Sequence, residues 1–326
     1  MDILTSSKVL CFRISDYDDL AFCPLFFLKD HYFFRGQADA KWGLQTSLER
    51  KYQAYKEESS ATGIKAHNIP ADNEKYFSDA FSKALEYKEE YAAIQTFRRL
   101  TSLPEKLTSI EILARMQHYG AATRLLDVTT SFLIALFFAF EEYGEQDRTV
   151  WIFNGSFFYK NSGLIDKMVC FDLEDEKSEA FLRLMSNREN RYHQILDHAN
   201  NYIYPSQGYT SKKRSIMPLE ITGNNPRLVA QNGAFLFPTQ LNKSFEENLC
   251  TVLGMTEQDF SAACKSISRT KIKNFDQLSL TNAAVIKLII PVKIRHLVER
   301  LFDAANISCQ SIYPDEIGIA KSIKYW

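Results

Sequence analysis

Three stretches of this chain set polar and charged residues against apolar runs. The first is Phe34-Arg35-Gly36-Gln37. An arginine that directly follows an aromatic strand projects its guanidinium from a strand end. That planar fork suits a phosphate or a carboxylate, and the adjoining glycine lets backbone approach a ligand. The alternative is a structural arginine bonded to a loop carbonyl. The second stretch runs from Arg115-Met116-Gln117-His118-Tyr119-Gly120 to Thr123-Arg124-Leu125-Leu126-Asp127-Val128-Thr129-Thr130-Ser131. His118 is either an acid or base or a hydrogen-bonded core histidine. Asp127 stands ahead of an expected helix start, where it either caps that helix or carries charge in a site. The third stretch is Asn225-Pro226-Arg227 through Gln231-Asn232-Gly233, just before an apolar strand. Gln231 there either binds a ligand hydroxyl or closes the strand end. Arg35, Arg124 and Arg227 are candidates to ring an anion.

Other chemistries find no support. His193 and His198 have the wrong spacing for one helix face, and no HExxH occurs. No GxxxxGK[ST], GxGxxG or GxSxG is present. The six cysteines (Cys11, Cys23, Cys170, Cys250, Cys264, Cys309) form no CxxC pair, so reduced thiols and no metal are expected. The basic stretches 212–214 and 265–273 read as solvated surface. With 39 basic and 40 acidic residues the net charge is −1. That disfavours a protein gripping nucleic acid mainly by its phosphates, but a local basic cluster escapes the total. No signal peptide is read at the start. The longest apolar run, 132–140, falls far short of the ~20 residues that span a bilayer. A soluble, cytoplasmic protein without membrane contact is expected.

The elements that must position these residues follow from periodicity and breakers. A strand is expected at 32–34 and a loop over 56–74, which holds Gly63 and Pro70. An amphipathic helix is expected over 75–100, broken by Pro104, and another over 109–118 with Gly120 as its C-cap. Thr129 or Thr130 is expected to cap an almost wholly apolar helix over 131–143. A core strand follows at 149–153, then a turn at Asn154-Gly155. Residues 156–215 are charged, helical over 174–185 and 189–198, and read as an insertion ending in a polar loop. Strands are expected at 233–237 and 284–290, and helices at 245–266 and 295–305. Mixed strands and helices without a βαβ rhythm predict an α+β fold, a mixed sheet core with flanking helices.

The chain resembles the FRG domain family, named for its Phe-Arg-Gly motif. The resemblance rests on Phe34-Arg35-Gly36-Gln37 with Asp39, Trp42, Leu44 and Leu48. It continues through Gln117-His118-Tyr119-Gly120, Thr123-Arg124-Leu125-Leu126-Asp127, Thr129 and the alanines Ala135 and Ala139. Arg227, Gln231, Gly233 and Phe235 follow, then 287–291, Tyr313-Pro314-Asp315 and 318–320. Val128 departs, since the family more often carries Trp there. The resemblance implies a single elaborated domain over 1–326, with 156–215 variable, and a role in bacterial or phage conflict and defence.

The motif order is also distantly similar to ADP-ribosyltransferases of the cholera-toxin type. That likeness implies an ADP-ribosyltransferase-like fold with NAD as cofactor and no metal. Arg35 would hold the ribose and phosphate, Thr129, Thr130 and Ser131 the nicotinamide wall, and Gln231 the first Glu/Gln place. Gly36, Gln37, Gln117, Tyr119 and Arg124 complete the expected binding set, with Asp127 and His118 as catalytic candidates. Gly233 stands where that layout has its catalytic Glu. The expected partner is a nucleotide-type small molecule, with protein or RNA as a target. The alternatives are a non-catalytic module sensing nucleotide or RNA or binding protein, and a purely structural role.

Overall fold

In the computed structural model, residues 7–16, 19–20, 32–62, 87–103, 106–164, 174–203, 214–221, 225–268 and 283–323 are described. Seven strands among them form one sheet. They are β1 (Val9–Arg13), β2 (Tyr32–Gln37), β3 (Leu126–Thr129), β4 (Arg148–Asn154), β5 (Ile216–Leu219), β6 (Gly233–Pro238) and β7 (Val285–Ile290). Their order is β1-β7-β4-β2-β3-β6-β5. β1 runs parallel to β7 and every other pairing is antiparallel, so the sheet is mixed and the fold is α+β.

The helices are α1 (Ser47–Thr62), α2 (Tyr87–Leu100), α3 (Ser109–His118), α4 (Phe132–Phe140), α5 (Gly155–Lys160), α6 (Glu174–Ser186) and α7 (Arg188–Asn200). After them come α8 (Pro226–Ala230), α9 (Phe245–Leu253), α10 (Glu257–Lys265), α11 (Arg295–Ala304), α12 (Cys309–Ile312) and α13 (Glu316–Ser322). Among the described residues no helix is long and apolar enough to cross a membrane.

Strand alternation sorts the core into two layers. Phe33, Trp151 and Phe153 join Leu113 of α3 and Leu125 on one side of the sheet. Phe34, Val150 and Ile152 join Ile134 and Leu136 of α4 and Val298 and Phe302 of α11 on the other. A strand covered on both faces is apolar at successive positions, which is why 150–153 reads as a continuous run. Helix α4 lies directly on β2. A Cβ at Gly36 would meet the Ala135 carbonyl oxygen at 1.9 Å and the Ala139 nitrogen at 2.7 Å. The glycine of the Phe-Arg-Gly motif therefore answers to helix packing.

One irregularity in the sheet lies where a cavity opens. β2 pairs with β4 over six residues, from Tyr32↔Asn154 to Gln37↔Thr149. With β3 it pairs only at Phe34↔Thr129. β3 instead follows β6, from Leu126↔Leu236 to Thr129↔Gly233. The sheet is thus split between β2 and β3.

Several local expectations are corrected. Asp127 lies inside β3 and caps no helix. Helix α4 is N-capped by Ser131, whose hydroxyl accepts from the Ile134 N–H, and it ends at Phe140. Thr129 belongs to β3 and donates its hydroxyl to the Gln231 carbonyl at 2.8 Å. The expected loop over 56–74 is helical as far as Thr62, because α1 runs on through the polar sequence. Asn154 is an N-cap whose side chain accepts from the Phe157 N–H, so a helix replaces the expected turn. The expected helix over 245–266 is two helices, parted at Gly254 with φ +66°. Each has its own capping box, Ser244 with Glu247 and Thr256 with Asp259. Residues 75–86 of the expected helix, 63–74, Lys212 and Lys213 lie outside the described residues.

Candidate functional site

The split between β2 and β3 opens into a cavity of about 410 Å³. α3 lies along one side with Glu111, Arg115, Gln117 and His118. β2 contributes Arg35, β3 contributes Asp127 and Thr129, and the segment around α8 contributes Asn225, Arg227, Leu228 and Gln231. Phe138 of α4 and Gly233 to Phe235 of β6 also line it.

Local sequence aims each of these groups. α3 starts in a capping box in which Thr108 accepts from the Glu111 N–H and Glu111 accepts from the Thr108 N–H. Its last turn then delivers Arg115, Gln117 and His118 to the cavity. Gln117 is locked at both ends: Thr123 donates its hydroxyl to the Gln117 amide oxygen, and the Gln117 amide donates to Asp127 Oδ1 at 2.6 Å. Arg35 spans the split and donates from Nη1 to the Asp127 carbonyl at 2.7 Å. Its Nε is buried with no hydrogen-bond partner. Burial, followed by the opposing field of Asp127 and the like charge of Arg50, holds the Arg35 guanidinium below its ordinary value. Arginine nonetheless stays protonated in proteins, and a half-buried cation whose buried Nε is unspent favours an anion nearby.

The wall formed by α3 and α8 is also cationic. Burial, then Arg227, holds the His118 imidazole below its ordinary value; Asp315 opposes and Arg115 adds to the effect. Burial and Arg227 both favour the neutral ring. Among the described residues no carboxylate is bonded to the guanidinium of Arg35, Arg115 or Arg227. The cavity's own carboxylates are engaged. Asp127 accepts from Gln117, while Glu111 accepts from Thr108 and from the Tyr192 hydroxyl.

Arg35, Gly36, Gln117, His118, Asp127, Thr129 and Gln231 thus meet in one place. Five other expected binding residues do not line it. Arg124 is 1% exposed and pairs with Glu90 through Nε at 2.8 Å and through Nη2. Its Nη1 faces the Pro238 and Thr239 carbonyls. Gln37 is buried between the Gly43 carbonyl and the Trp151 indole N–H. Tyr119 is 72% exposed, its ring 6.4 Å from that of Phe97. Thr130 is exposed beside the Asn232 carbonyl, and Ser131 is spent as a cap. Gln231 donates its amide to the Ile312 carbonyl at 3.3 Å, tying α8 to α12. Of the three arginines expected to ring an anion, Arg35 and Arg227 line the cavity and Arg124 does not, while Arg115 lines it beside them. Arg115 was legible, because its i,i+3 spacing from His118 places both on one face of α3.

Among the described residues no three His, Cys, Asp or Glu side chains gather as a metal would require. The family model for the FRG domain matches residues 30–148. That span carries β2, α3 and β3, and therefore Arg35, Arg115, Gln117, His118 and Asp127. Arg227 and Gln231 close the cavity from outside it. None of the curated proteins and none of the solved structures matches the chain significantly.

Proposed function

The chain carries an FRG domain over residues 30–148, and we propose that its cavity holds a nucleotide-type anion, NAD foremost, and acts on its N-glycosidic bond. The observation that carries this reading is the meeting of Arg35, Arg115 and Arg227 in one cavity with no bonded carboxylate among the described residues. Guanidinium forks with unspent donors are what phosphate oxygens require. A cavity of this size suits a small ligand.

In this reading Arg35 holds phosphate or ribose at the split in the sheet. Asp127, fixed by Gln117, lies beside the ribose carbon. Nicotinamide leaves with the bonding electron pair, and the Asp127 carboxylate stabilises the positive charge left on the sugar. Such electrostatic support contributes on the order of 3 kcal/mol. Water or an acceptor then adds, releasing a proton to which neutral His118 is the nearby base. The product is ADP-ribose or an ADP-ribosylated acceptor, and the setting proposed is bacterial or phage conflict and defence.

One observation favours a second reading, a non-catalytic nucleotide sensor. Gly233 packs under Leu228, where a Cβ would lie 2.4 Å from Leu228 Cδ1, so no carboxylate side chain extends from that position. Calorimetry with NAD and an assay for released nicotinamide, with and without cell extract, test both. Binding with nicotinamide release supports the enzyme. Tight retention of intact NAD supports the sensor. Absence of both binding and release removes NAD from the account.

A further inference from the structure

The charges acting on Arg35 and on His118 belong to different sets. Arg35 lies in the field of Asp127 and Arg50. His118 lies in the field of Arg227, Asp315 and Arg115. In the cavity Arg35 enters from β2 at the split in the sheet, whereas Arg115 and His118 enter from α3 and Arg227 from α8, which gives two cationic poles.

The second pole is held in place without using its donors. The Arg227 guanidinium lies over the Tyr313 ring, 4.7 Å from its centroid. Lys321 lies 4.3 Å from the same centroid. Tyr313 is buried and donates its hydroxyl to Glu141, 2.9 and 2.8 Å from the two carboxylate oxygens. Stacking occupies the face of a guanidinium and leaves its in-plane N–H fork available. Arg115 presents a second fork from α3, and the His118 ring presents an N–H beside it. The opposing carboxylate, Asp315, accepts from the Ile317 N–H at 3.0 Å as the cap of α13. Two positive charges and one ring donor thus face the same cavity, where the Glu111 carboxylate is taken up by Thr108 and Tyr192. A phosphate monoester carries close to two negative charges and three acceptor oxygens. A diester or a carboxylate carries one charge and fewer free oxygens.

We propose that Arg115, His118 and Arg227 form a phosphate-monoester subsite, separate from the Arg35 pole. The preferred ligand is then a small nucleotide bearing a phosphate monoester at one end. The nucleotide part of this statement rests on the function proposed above; the subsite does not.

Two arms on the intact protein test it. In the first, inorganic phosphate is added while the histidine ring protons are titrated by NMR, His118 being identified by its loss in His118→Gln. Phosphate shifts the His118 titration upward. Arg115→Gln and Arg227→Gln abolish that shift, whereas Arg227→Lys and Arg35→Gln retain it. A His118 titration that phosphate does not move overturns the subsite, whatever NAD does. The second arm compares NAD with NADP, which differ by one phosphate monoester. NADP binds about tenfold tighter to wild type and to Arg35→Gln, and equally with NAD in Arg115→Gln. Equal wild-type affinities overturn the preference. If neither dinucleotide binds while phosphate still moves His118, the NAD reading falls and the subsite stands.

Discussion

Arg124 and Arg35 both lie beside the same sheet, and both lie in conspicuous motifs. They differ in what their donors do. Arg124 has its Nε and Nη2 on the Glu90 carboxylate, its Nη1 toward two carbonyls, and the Phe237 ring 4.9 Å from its guanidinium. Arg35 bonds a single carbonyl and keeps a buried Nε without a partner. Arg148 lies nearer Arg124, since its terminal nitrogens bond the carbonyls of Ala38, Glu142 and Gly144, although its Nε, like that of Arg35, is buried without a partner. Burial and position separate the two kinds of arginine: Arg124 and Arg148 are 1% exposed and spend their terminal nitrogens on the protein, whereas Arg35 is half-buried and faces a cavity, where its donors are available to a ligand.

The largest test of this contrast is Glu90→Gln. It leaves the buried Arg124 charge without its counter-ion and should cost about 3–5 kcal/mol of stability in urea unfolding. A loss under about 1 kcal/mol would show that Arg124 is not the structural member of the pair. Arg35→Gln should do the opposite. Nucleotide affinity falls roughly 10- to 100-fold by calorimetry, equivalent to about 1.5–3 kcal/mol, while stability stays within about 1 kcal/mol of wild type. A cooperative loss of fold instead would place Arg35 with Arg124.

Gly36→Ala sharpens the comparison within a single motif. The added methyl meets the Ala135 carbonyl of α4, so about 1–3 kcal/mol of stability should be lost. The affinity of the remaining folded protein should change little. Unaltered thermal unfolding would show that α4 is free to move off β2.

The smallest effect is a pH dependence. Burial and Arg227 hold folded His118 below the ordinary 6.5. As pH falls through that value, the unfolded chain takes up a proton that the folded chain resists, so stability declines. Above it the contribution is fully present. His118→Gln should flatten this decline in urea midpoints taken between about pH 5 and 7. An unchanged slope would remove His118 from the cationic pole.

Much of the fold was legible from local pattern. The apolar run at 149–153, the helix at 109–118 with Gly120 at φ +85° beyond it, and Asn306 at φ +56° after α11 are all as periodicity and capping rules predict. The candidate site was legible as a set of motifs but not as a membership. Asp127, ahead of Thr129, Thr130, Ser131 and an apolar helix, looks like a helix cap. It proves to be a strand residue because β6 pairs with it across more than a hundred positions, Asp127↔Phe235. Local propensity carries no trace of such a partner.

By itself the sequence determined the mixed α+β character, the apolar elements that form the sheet core, and the short list of arginines and polar motifs from which a site had to come. Near-neutral net charge concealed a cationic cavity, since three side chains vanish in a total of 39 basic residues. Only the tertiary structure decided which arginines spend their donors on the protein. Arg124 meets Glu90 from α2 and Arg227 meets Tyr313 from beyond α12, and both partners are remote in the chain. A guanidinium's role depends on what fills its five donors, and chain folding places those partners.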